Sequence, residues 1–388
     1  MSVSDLVAFM ATMVAPSVAT SCDKAEKFAS ERYGLRATAA RLTGERDENF
    51  KLVGADGREY VLKIASAAEE PAVTDLPTAA LVHVERVDPG FPCPRVLRNR
   101  DGLTCSRFED VTGLERTARV LTYLPGKTLR SSARSSAQRA ACGRVAARLG
   151  LALRTFTHPA AMRPLIWDLR HVGRTVGLLD ELGDFPETST VAALIGAIDA
   201  RIQAEFGHLR QQVIHNDMND MNVLVDPGNE DVVVGVIDFG DLVHTALVAD
   251  VAILAADQIA AGRAPHDSIM DVVMAYHEAV PLLPPELAVL NPLIAGRILT
   301  DVLIASWHRR RNPAGTHYTD LDPAYISARV KLAEEILRSD VLSPEALASD
   351  TRASDTRASD APASEPLASA ELAAEAPCSS PAPSSSTP

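Results

Sequence analysis

The sequence predicts an α+β protein with two lobes, a small antiparallel β lobe followed by a larger helical lobe, and a disordered C-terminal tail. Runs rich in β-forming residues, joined by hairpin turns, are concentrated in the first third of the chain. Amphipathic runs with helical spacing follow, and the C-terminal segment is dominated by Ala, Ser, Pro and Asp. We therefore divide the chain into lobes at residues 1–123 and 124–340 and a tail at residues 341–388.

The first lobe begins with an apolar stretch at residues 6–14, which we predict to be an N-terminal helical extension. Two β-rich runs at residues 49–53 and 59–64 flank an Asp-Gly pair at residues 56–57, which favours a tight hairpin. Residues 78–87 have helical character and are followed by closely spaced prolines, which end a helix. A hairpin and one helix are therefore expected at the start of this lobe.

Further β-rich runs complete the predicted antiparallel sheet. A second Asp-Gly pair at residues 101–102 predicts a hairpin between residues 95–97 and 104–108. Residues 117–123 form another apolar, β-rich run. The first lobe is thus expected to be a small sheet with few helices.

The helical lobe follows a turn at Leu124-Pro125-Gly126. Apolar residues recur at four-residue spacing within residues 135–156, as in an amphipathic helix. Further helices are predicted over residues 188–209, 244–262, 285–310 and 321–338, and strands over residues 222–225 and 232–237.

Charge, hydropathy and cysteine content restrict the partners and the compartment. The formal net charge is −13, from 38 Lys and Arg against 51 Asp and Glu, which argues against nucleic acid as a partner. No uninterrupted apolar run reaches the roughly 18 residues of a membrane span, so we expect no membrane association. The five cysteines are odd in number and form no Cys-x-x-Cys pair. Free thiols and a cytoplasmic location are therefore expected.

A polar block at residues 213–225 lies between two apolar runs. It contains His215, Asp217 and, five residues after Asp217, Asn222. This spacing is typical of phosphotransferase catalytic loops, in which the aspartate meets an acceptor hydroxyl and the asparagine faces a phosphate-bound metal. The alternative is a polar loop whose side chains only stabilise turns.

A second acidic segment, Asp238-Phe239-Gly240, ends a buried β-rich run 16 residues after Asn222. This tripeptide at the end of a strand is the metal-binding pattern of kinase-type enzymes. Lys63 lies inside a β-rich run of the first lobe, where a lysine is usually a solvated charge and only its position before these two segments favours a functional role. The order of these three elements along the chain predicts a nucleotide bound between the lobes.

These segments resemble the aminoglycoside phosphotransferase and choline kinase superfamily, and within it the hydroxylysine kinase group most of all. The likeness extends over roughly residues 30–310 and is carried by the stretches ERDENF (45–50), YVLKI (60–64), LTYLPG (121–126), WDL (167–169), HNDMNDMNVLV (215–225) and VIDFGDLVH (236–244). The resemblance implies a bilobal protein-kinase-like fold whose first lobe binds the nucleotide.

On the donor side, the resemblance implies a nucleotide, ATP or GTP, held by the first lobe. Lys63 would hold the α- and β-phosphates. The turn from Gly44 to Asn49 would cover the phosphates, and Tyr123 and Leu124 would lie against the base.

On the acceptor side, the resemblance implies that Asp217 is the catalytic base or orients the acceptor hydroxyl. Asn222 and Asp238 would bind Mg²⁺. The candidates for contacts with the acceptor are Asp220, Asp241 and His244.

Two structural roles are open at this stage. A kinase lysine usually pairs with an acid on a helix, and the candidates for Lys63 are Glu69, Glu70 and Asp75. His215 could act as a second base or could hydrogen-bond the backbone beside the metal-binding turn, and we favour the structural role.

The predicted function is a kinase for a hydroxyl group of a small amine or amino acid, with 5-hydroxylysine as the first candidate. Homoserine, choline or ethanolamine, an aminoglycoside and a protein serine are alternative acceptors. A nucleotide-binding pseudokinase that acts as a scaffold is the alternative from a different class. A metal-dependent hydrolase is less favoured, because no second histidine lies at ligand spacing.

Overall fold

A computed structural model describes residues 20–42, 44, 47–259, 262–311 and 321–339 of the chain. The predicted helix at residues 6–14 and the predicted disordered tail at residues 341–388 lie outside the described residues. Within them, the predicted α+β fold is confirmed: an antiparallel sheet lobe precedes a larger, mainly helical lobe. The lobe limits drawn at residues 123 and 340 stay predictions.

The first lobe consists of a five-stranded sheet with two helices. Its elements are α1 (Cys22–Phe28), which continues as a π-helical turn over Ala29–Tyr33, β1 (Ala37–Leu42), β2 (Glu48–Gly54), β3 (Glu59–Ile64), α2 (Pro71–Val87), β4 (Ser106–Glu109) and β5 (Glu115–Thr122). The strand order is β1-β2-β3-β5-β4, and every neighbouring pair is antiparallel.

Alternation along the central strands gives the sheet two different faces. Phe50 on β2 and Leu62 on β3 are buried in a cluster with Phe28 of α1. The alternate positions Asn49 and Lys63 face the other way and lie opposite each other in the β2–β3 register. The sheet therefore has an apolar face against α1 and a polar face toward the second lobe.

The hairpin predicted at residues 101–102 is wrong in its strand pairing. Residues 95–97 bond instead to β5, where the Leu97 amide donates to the Val120 carbonyl at 2.9 Å. The true hairpin joins β4 to β5. Its turn is closed by the Asp110 carboxylate, which accepts from the Leu114 amide at 3.1 Å, and by Gly113 at φ +84°. Asx turns and left-handed glycines stabilise such connections.

The second lobe contains most of the helices. Its elements are β6 (Lys127–Thr128), α3 (Ser136–Leu153), α4 (Gly177–Leu182), α5 (Thr188–Glu205), β7 (Gln211–Ile214), β8 (Val223–Asp226), β9 (Asn229–Val236), β10 (Val243–Ala246), α6 (Val248–Asp257), α7 (Pro265–Ala279), α8 (Pro284–Arg311) and α9 (Pro323–Arg338). Short 3₁₀ turns cover Leu129–Ser131, Pro159–Met162, Leu169–Val176, Phe206–His208 and Phe239–Asp241. The strands form two small sheets, β6-β8-β9 and β7-β10.

Most helices of this lobe match the predicted runs, with one change of type. The predicted helix at residues 244–262 begins as strand β10 and becomes helical only in α6. The Val243–Ala246 segment pairs antiparallel with β7, so tertiary pairing determines its conformation. Helices α4 and α7 and strand β7 have no counterpart among the sequence predictions.

Helix α8 forms the centre of the helical lobe. It is the one described helix long and apolar enough, at a mean hydropathy of 1.7, to cross a membrane, yet 83% of its apolar stretch is buried inside the protein. It packs against α5, α6 and α9. Two charged residues, Arg297 and Asp301, interrupt its apolar sequence.

Close packing of α3 on α7 depends on a glycine. A Cβ atom at Gly143 would lie 2.2 Å from the Val272 carbonyl oxygen, which belongs to the backbone of α7. Because a backbone atom cannot move aside as a side chain can, the two helices would have to separate.

We predict that Gly143→Ala lowers the free energy of unfolding by about 1–3 kcal/mol, the usual cost of overpacking. Gly196→Ala is the matched control, because this exposed glycine lies within α5 and nothing approaches its Cβ position within 4 Å. There, higher helix propensity should stabilise by about 0.5–1 kcal/mol. Urea denaturation of both variants checks this, and equal effects at the two sites would contradict the packing argument.

Candidate active site

Strand pairing brings two separate loops to one sheet edge. Asn222 immediately precedes β8 and Asp238 follows β9 by two residues, and the strands pair with Val223 opposite Val236. The Ile237 amide donates to the Asn222 carbonyl oxygen at 2.8 Å. Asn222 and Asp238 are therefore neighbours at the end of the β8–β9 hairpin.

A network of amide side chains ties Asp217 to this edge. Asn222 Nδ2 donates to Asp217 Oδ2 at 2.6 Å and to the Asp217 carbonyl at 3.0 Å. Asn219 Nδ2 donates to the other carboxylate oxygen at 2.8 Å. Asn219 Oδ1 accepts from the Asn222 amide at 3.1 Å. Both oxygens of Asp217 are thus held in fixed positions, and the three residues predicted to cooperate lie together.

The loop before Asp217 has an unusual backbone conformation. Asn216 has φ +64°, a left-handed conformation that asparagine tolerates better than most non-glycine residues. The Asp250 carboxylate of α6 accepts from the backbone amides of His215 and Asn216 at 3.0 and 2.7 Å. Burial raises the pKa of Asp250 to about 6, although both amides oppose the shift. Asp250 therefore anchors the loop to the helical core.

His215 connects the two loops and is fully buried. Its Nδ1 accepts from the Asp217 amide at 3.3 Å, so Nε2 carries the proton that is donated to the Ile237 carbonyl at 3.1 Å. The ring packs edge-on against Phe239, with centroids 4.8 Å apart. Burial lowers its pKa to about 4. A neutral imidazole with both nitrogens engaged supports the structural role that the sequence favours.

Lys63 extends from β3 to the opposite loop. Its Nζ lies 3.2 Å from Asp238 Oδ1 and 4.0 Å from Asp47 Oδ2. Arg119 on β5, opposite Lys63 in the sheet, lies 3.4 Å from the same Asp47 oxygen. Lys63 therefore connects the β lobe to the segment of the second lobe that contains Asp238.

An acid that was not among the sequence candidates lies beside Lys63 on the β lobe. Asp47 occupies this position, immediately before β2, whereas the candidate Asp75 on α2 lies 3.4 Å from His158. Asp47 is held by Arg119 as well as by Lys63. The register of the sheet, rather than a helix, brings the acid to the lysine.

The residues predicted to hold the phosphates lie next to Lys63. Asn49 is directly opposite Lys63 in the β2–β3 register. A Cβ atom at Gly44 would lie 2.4 Å from both the Asn49 Nδ2 atom and the Asp47 carbonyl oxygen. A residue without a side chain is therefore required where the chain folds back over β2.

Tyr123 and Leu124, predicted at the nucleotide base, lie where the first lobe ends. The Tyr123 amide donates to the Glu59 carbonyl at 3.0 Å, and Lys51 Nζ lies 4.2 Å from its ring centroid. Leu124 Cδ1 would lie 3.1 Å from a Cβ atom at Gly235 on β9. These residues therefore connect the β lobe to the small sheet of the second lobe.

The three predicted acceptor contacts have different surroundings. The Asp220 carboxylate is occupied by Arg130 at 3.1 Å and Arg134 at 2.6 Å, so we do not carry it forward as an ammonium ligand. Asp241 is buried in the 3₁₀ turn after Asp238. His244 is half-buried on β10, the partner of the strand that leads into the catalytic loop.

Arg297 on α8 is a site residue that has no counterpart among the sequence predictions. Its Nη2 lies 3.5 Å from Asp217 Oδ1 and its Nε lies 3.0 Å from Asp301 Oδ1. The guanidinium lies over the Trp167 ring, 4.8 Å from the centroid. An Arg followed four residues later by an Asp, within the apolar central stretch of this helix, is the sequence signal that could have identified it.

The electrostatics of Asp217 are dominated by burial and by other acids. Burial raises its pKa well above the usual range, the negative charge of Asp241 raises it further, and Arg297 opposes the shift. Asp238 and Asp257 also raise it. A second cation at this edge would therefore favour the ionised carboxylate.

The residues at the edge suit a hard divalent cation. Since Asn222 donates from its amide nitrogen to Asp217, its Oδ1 is the atom that can serve as a ligand beside the Asp238 carboxylate. Among the described residues, no group of three or more His, Cys, Asp or Glu side chains could hold a metal. Few protein ligands, supplemented by water and phosphate oxygens, are what Mg²⁺ prefers.

Comparison with known proteins identifies relatives over most of the chain. The model of the phosphotransferase enzyme family matches residues 38–280. Hydroxylysine kinase from Mus musculus is 27% identical over 309 residues, which cover 74% of this chain and 82% of that protein.

Two solved structures share the fold. A microcompartment-associated aminopropanol kinase superposes with a TM-score of 0.63 at 20% identity, over 83% of this chain and 99% of its own. Amicoumacin kinase hAmiN in complex with AMP-PNP, Ca²⁺ and Ami has a TM-score of 0.61 at 14% identity, over 83% of this chain and 95% of its own.

The position of Asp47 beside Lys63 leads to a prediction. Asp47→Asn should raise the KM for Mg-nucleotide by roughly three- to tenfold, because a partly buried ion pair that orients a cation contributes about 1 kcal/mol. Asp75→Asn is the matched control and should leave this KM unchanged. Steady-state kinetics at varied nucleotide concentration checks both, and a larger effect at Asp75 would reverse the assignment.

Proposed function

This chain belongs to the phosphotransferase enzyme family, and from that premise we propose that it transfers the γ-phosphate of ATP or GTP to a hydroxyl group of a small amine or amino acid. The first candidate for the acceptor is 5-hydroxylysine. The similarity to hydroxylysine kinase supports this choice. Family membership gives the class of reaction, phosphoryl transfer to a hydroxyl group. The identities of the acceptor and of the donor nucleotide are what we propose.

The observation that carries the proposal is the meeting of Asp217, Asn222 and Asp238 at one sheet edge. Asn222 donates to Asp217 at 2.6 Å, and Lys63 approaches Asp238 at 3.2 Å from the other lobe. A carboxylate for the acceptor, an amide and a carboxylate for a cation, and a lysine for phosphates are the parts that phosphoryl transfer requires.

We propose that Mg²⁺ is the cation, held by Asn222 Oδ1 and the Asp238 carboxylate. The complex of the structurally similar amicoumacin kinase with AMP-PNP and Ca²⁺ supports a divalent cation here. When bound, Mg²⁺ supplies charge neutralisation for the phosphates and favours the ionised form of nearby carboxylates. The protein's contribution is to hold both ligands rigidly at the end of the β8–β9 hairpin.

Asp217 accepts the hydrogen bond of the acceptor hydroxyl in this proposal. The amides of Asn219 and Asn222 fix the orientation of its carboxylate, so little reorganisation is needed as the hydroxyl approaches the phosphorus. Proton transfer to Asp217 is expected late, because a loose transition state places little charge on the attacking oxygen.

Lys63 and the turn at residues 44–49 hold the phosphates in this proposal. Asn49 and Lys63 lie side by side on the polar face of the sheet. Once phosphates occupy the cleft, they can replace Asp238 as a partner of the Lys63 ammonium. Asp47, 4.0 Å from Lys63, supplies an acid beside the lysine and so supports an active kinase rather than a pseudokinase.

Acidic surroundings support a cationic acceptor. Asp241, Asp257 and Asp301 all lie close enough to Arg297 to raise its pKa, and together they would attract an amine through their field. Choline or ethanolamine, homoserine and an aminoglycoside are the alternative acceptors, since each also carries a hydroxyl and a cationic nitrogen.

We predict that Asp217→Asn lowers kcat by roughly 10²–10⁴-fold, the usual contribution of a positioned base. Nucleotide affinity should change by no more than a few fold, because Asp217 faces the acceptor. Asp184→Asn, at an exposed position in the turn after α4, is the matched control and should behave as wild type. A coupled assay for nucleotide diphosphate and a separate nucleotide-binding titration give the two readouts.

The function itself is tested with a panel of hydroxylated acceptors and both nucleotides. A kinase consumes nucleotide only with its acceptor, and turnover with 5-hydroxylysine supports the proposal. A hydrolase would consume nucleotide in water alone. A pseudokinase would bind nucleotide without turnover under any condition, and either of these outcomes would reject the proposal.

A further inference from the structure

Arg297 is a charged residue that is buried in the protein, and its burial requires an explanation. It lies in the middle of α8 and is 4% exposed. Burying a cation in an apolar helix is unfavourable unless its hydrogen-bonding groups are satisfied. The carboxylates of Asp217 and Asp301 lie 3.5 Å from Nη2 and 3.0 Å from Nε, but these ion pairs do not satisfy every N–H group of the guanidinium.

The Nη1 and Nε atoms of Arg297 are both buried without a hydrogen-bond partner among the described residues, and the ion pairs with Asp217 and Asp301 involve Nη2 and Nε rather than Nη1. The 3.5 Å from Nη2 to Asp217 is also long for a charge-assisted hydrogen bond. The plane of the guanidinium is nevertheless fixed, because it lies over the Trp167 ring. The rigid guanidinium of Arg297, beside the Asp217 carboxylate, therefore still has N–H groups that can donate hydrogen bonds to a ligand.

The charges around Arg297 restrict the kind of ligand that its guanidinium can bind. Burial lowers the pKa of Arg297, but the charges of Asp301, Asp217, Asp257 and Asp241 outweigh burial and raise it, so it is a cation. An anion can approach this acidic region only if it contacts the guanidinium directly. An ammonium, in contrast, finds several carboxylates.

We infer that Arg297 binds the carboxylate of an amino-acid acceptor through Nη1, and so selects hydroxylated amino acids over hydroxylated amines. This inference rests on the proposed function. A guanidinium fork matches a carboxylate in shape and charge, and the neighbouring aspartates would receive the ammonium groups. Arg297 is then a specificity-determining residue, placed next to the carboxylate that meets the reacting hydroxyl.

The test compares acceptors that differ only in the carboxylate. 5-Hydroxylysine is paired with its carboxamide, and homoserine with its carboxamide, and kcat/KM is measured for each with Mg-ATP and Mg-GTP. We expect the wild type to prefer the acid of the better pair by about tenfold or more, the size of one charge-assisted contact. Equal kcat/KM for acid and amide would overturn the inference without any variant.

The variants Arg297→Gln and Arg297→Lys then test whether Arg297 is responsible for the preference for the acid over the carboxamide. Arg297→Gln should abolish the preference, mainly through a higher KM for the acid. Arg297→Lys keeps the charge without the fork and should retain part of the preference. If Arg297 only neutralises or positions Asp217, both acceptors will instead lose kcat equally and the preference will persist, which would overturn the inference.

Arg139→Gln is the matched control for loss of a buried arginine. Arg139 is 1% exposed and pairs with Asp271 at 2.8 Å. Its replacement should lower thermal stability and leave the acid-to-amide ratio unchanged; a changed ratio would count against a specific role of Arg297. If the wild type phosphorylates no hydroxylated amine or amino acid, the proposed function fails and the inference fails with it. If the wild type phosphorylates a hydroxylated amine and shows no preference for a carboxylate, the inference fails but the proposed function stands.

Discussion

The hydrogen bonds from Asn222 to Asp217, together with the pairing of β8 and β9, are the constraint on which the site depends. They fix the proposed catalytic carboxylate against one proposed metal ligand and place the second proposed ligand at the adjacent strand end. His215 reinforces the same junction, because it accepts from the Asp217 amide and donates to the Ile237 carbonyl. The relative positions of Asp217, Asn222 and Asp238 are thus set by strand pairing together with hydrogen bonds of the Asn222 and His215 side chains.

The helical lobe supports this junction through buried charges. Asp250 on α6 anchors the loop before Asp217, and Arg297 on α8 lies beside the carboxylate itself. Both helices are largely apolar and buried, so these charges are held in a core of low polarizability, where their interactions are strong. Removing one partner would leave the other buried without compensation. Stability and activity therefore depend on the same few side chains.

Much of the fold could be predicted from the sequence, and so could the proximity of Asp217, Asn222 and Asp238, because local patterns determine them. The Asp-Gly turn and the alternation in β2 and β3 predicted the central hairpin. The spacing of Asp217, Asn222 and Asp238 predicted that these residues lie close together. Other features depend on contacts between distant segments. Asp47 reaches Lys63 through sheet register, β10 is a strand only because it pairs with β7, and Arg297 lies in a helix whose period indicates only a core.

The central claim is that Asn222 and Asp238 hold one divalent cation beside Asp217. The most direct measurement is a crystal structure with Mn²⁺ and a non-hydrolysable nucleotide, in which anomalous scattering locates the metal. The account predicts a peak about 2.1 Å from Asn222 Oδ1 and from an Asp238 carboxylate oxygen, the distance usual for Mg²⁺-type octahedral sites. A metal bound elsewhere, with these two side chains turned away from it, would contradict the account.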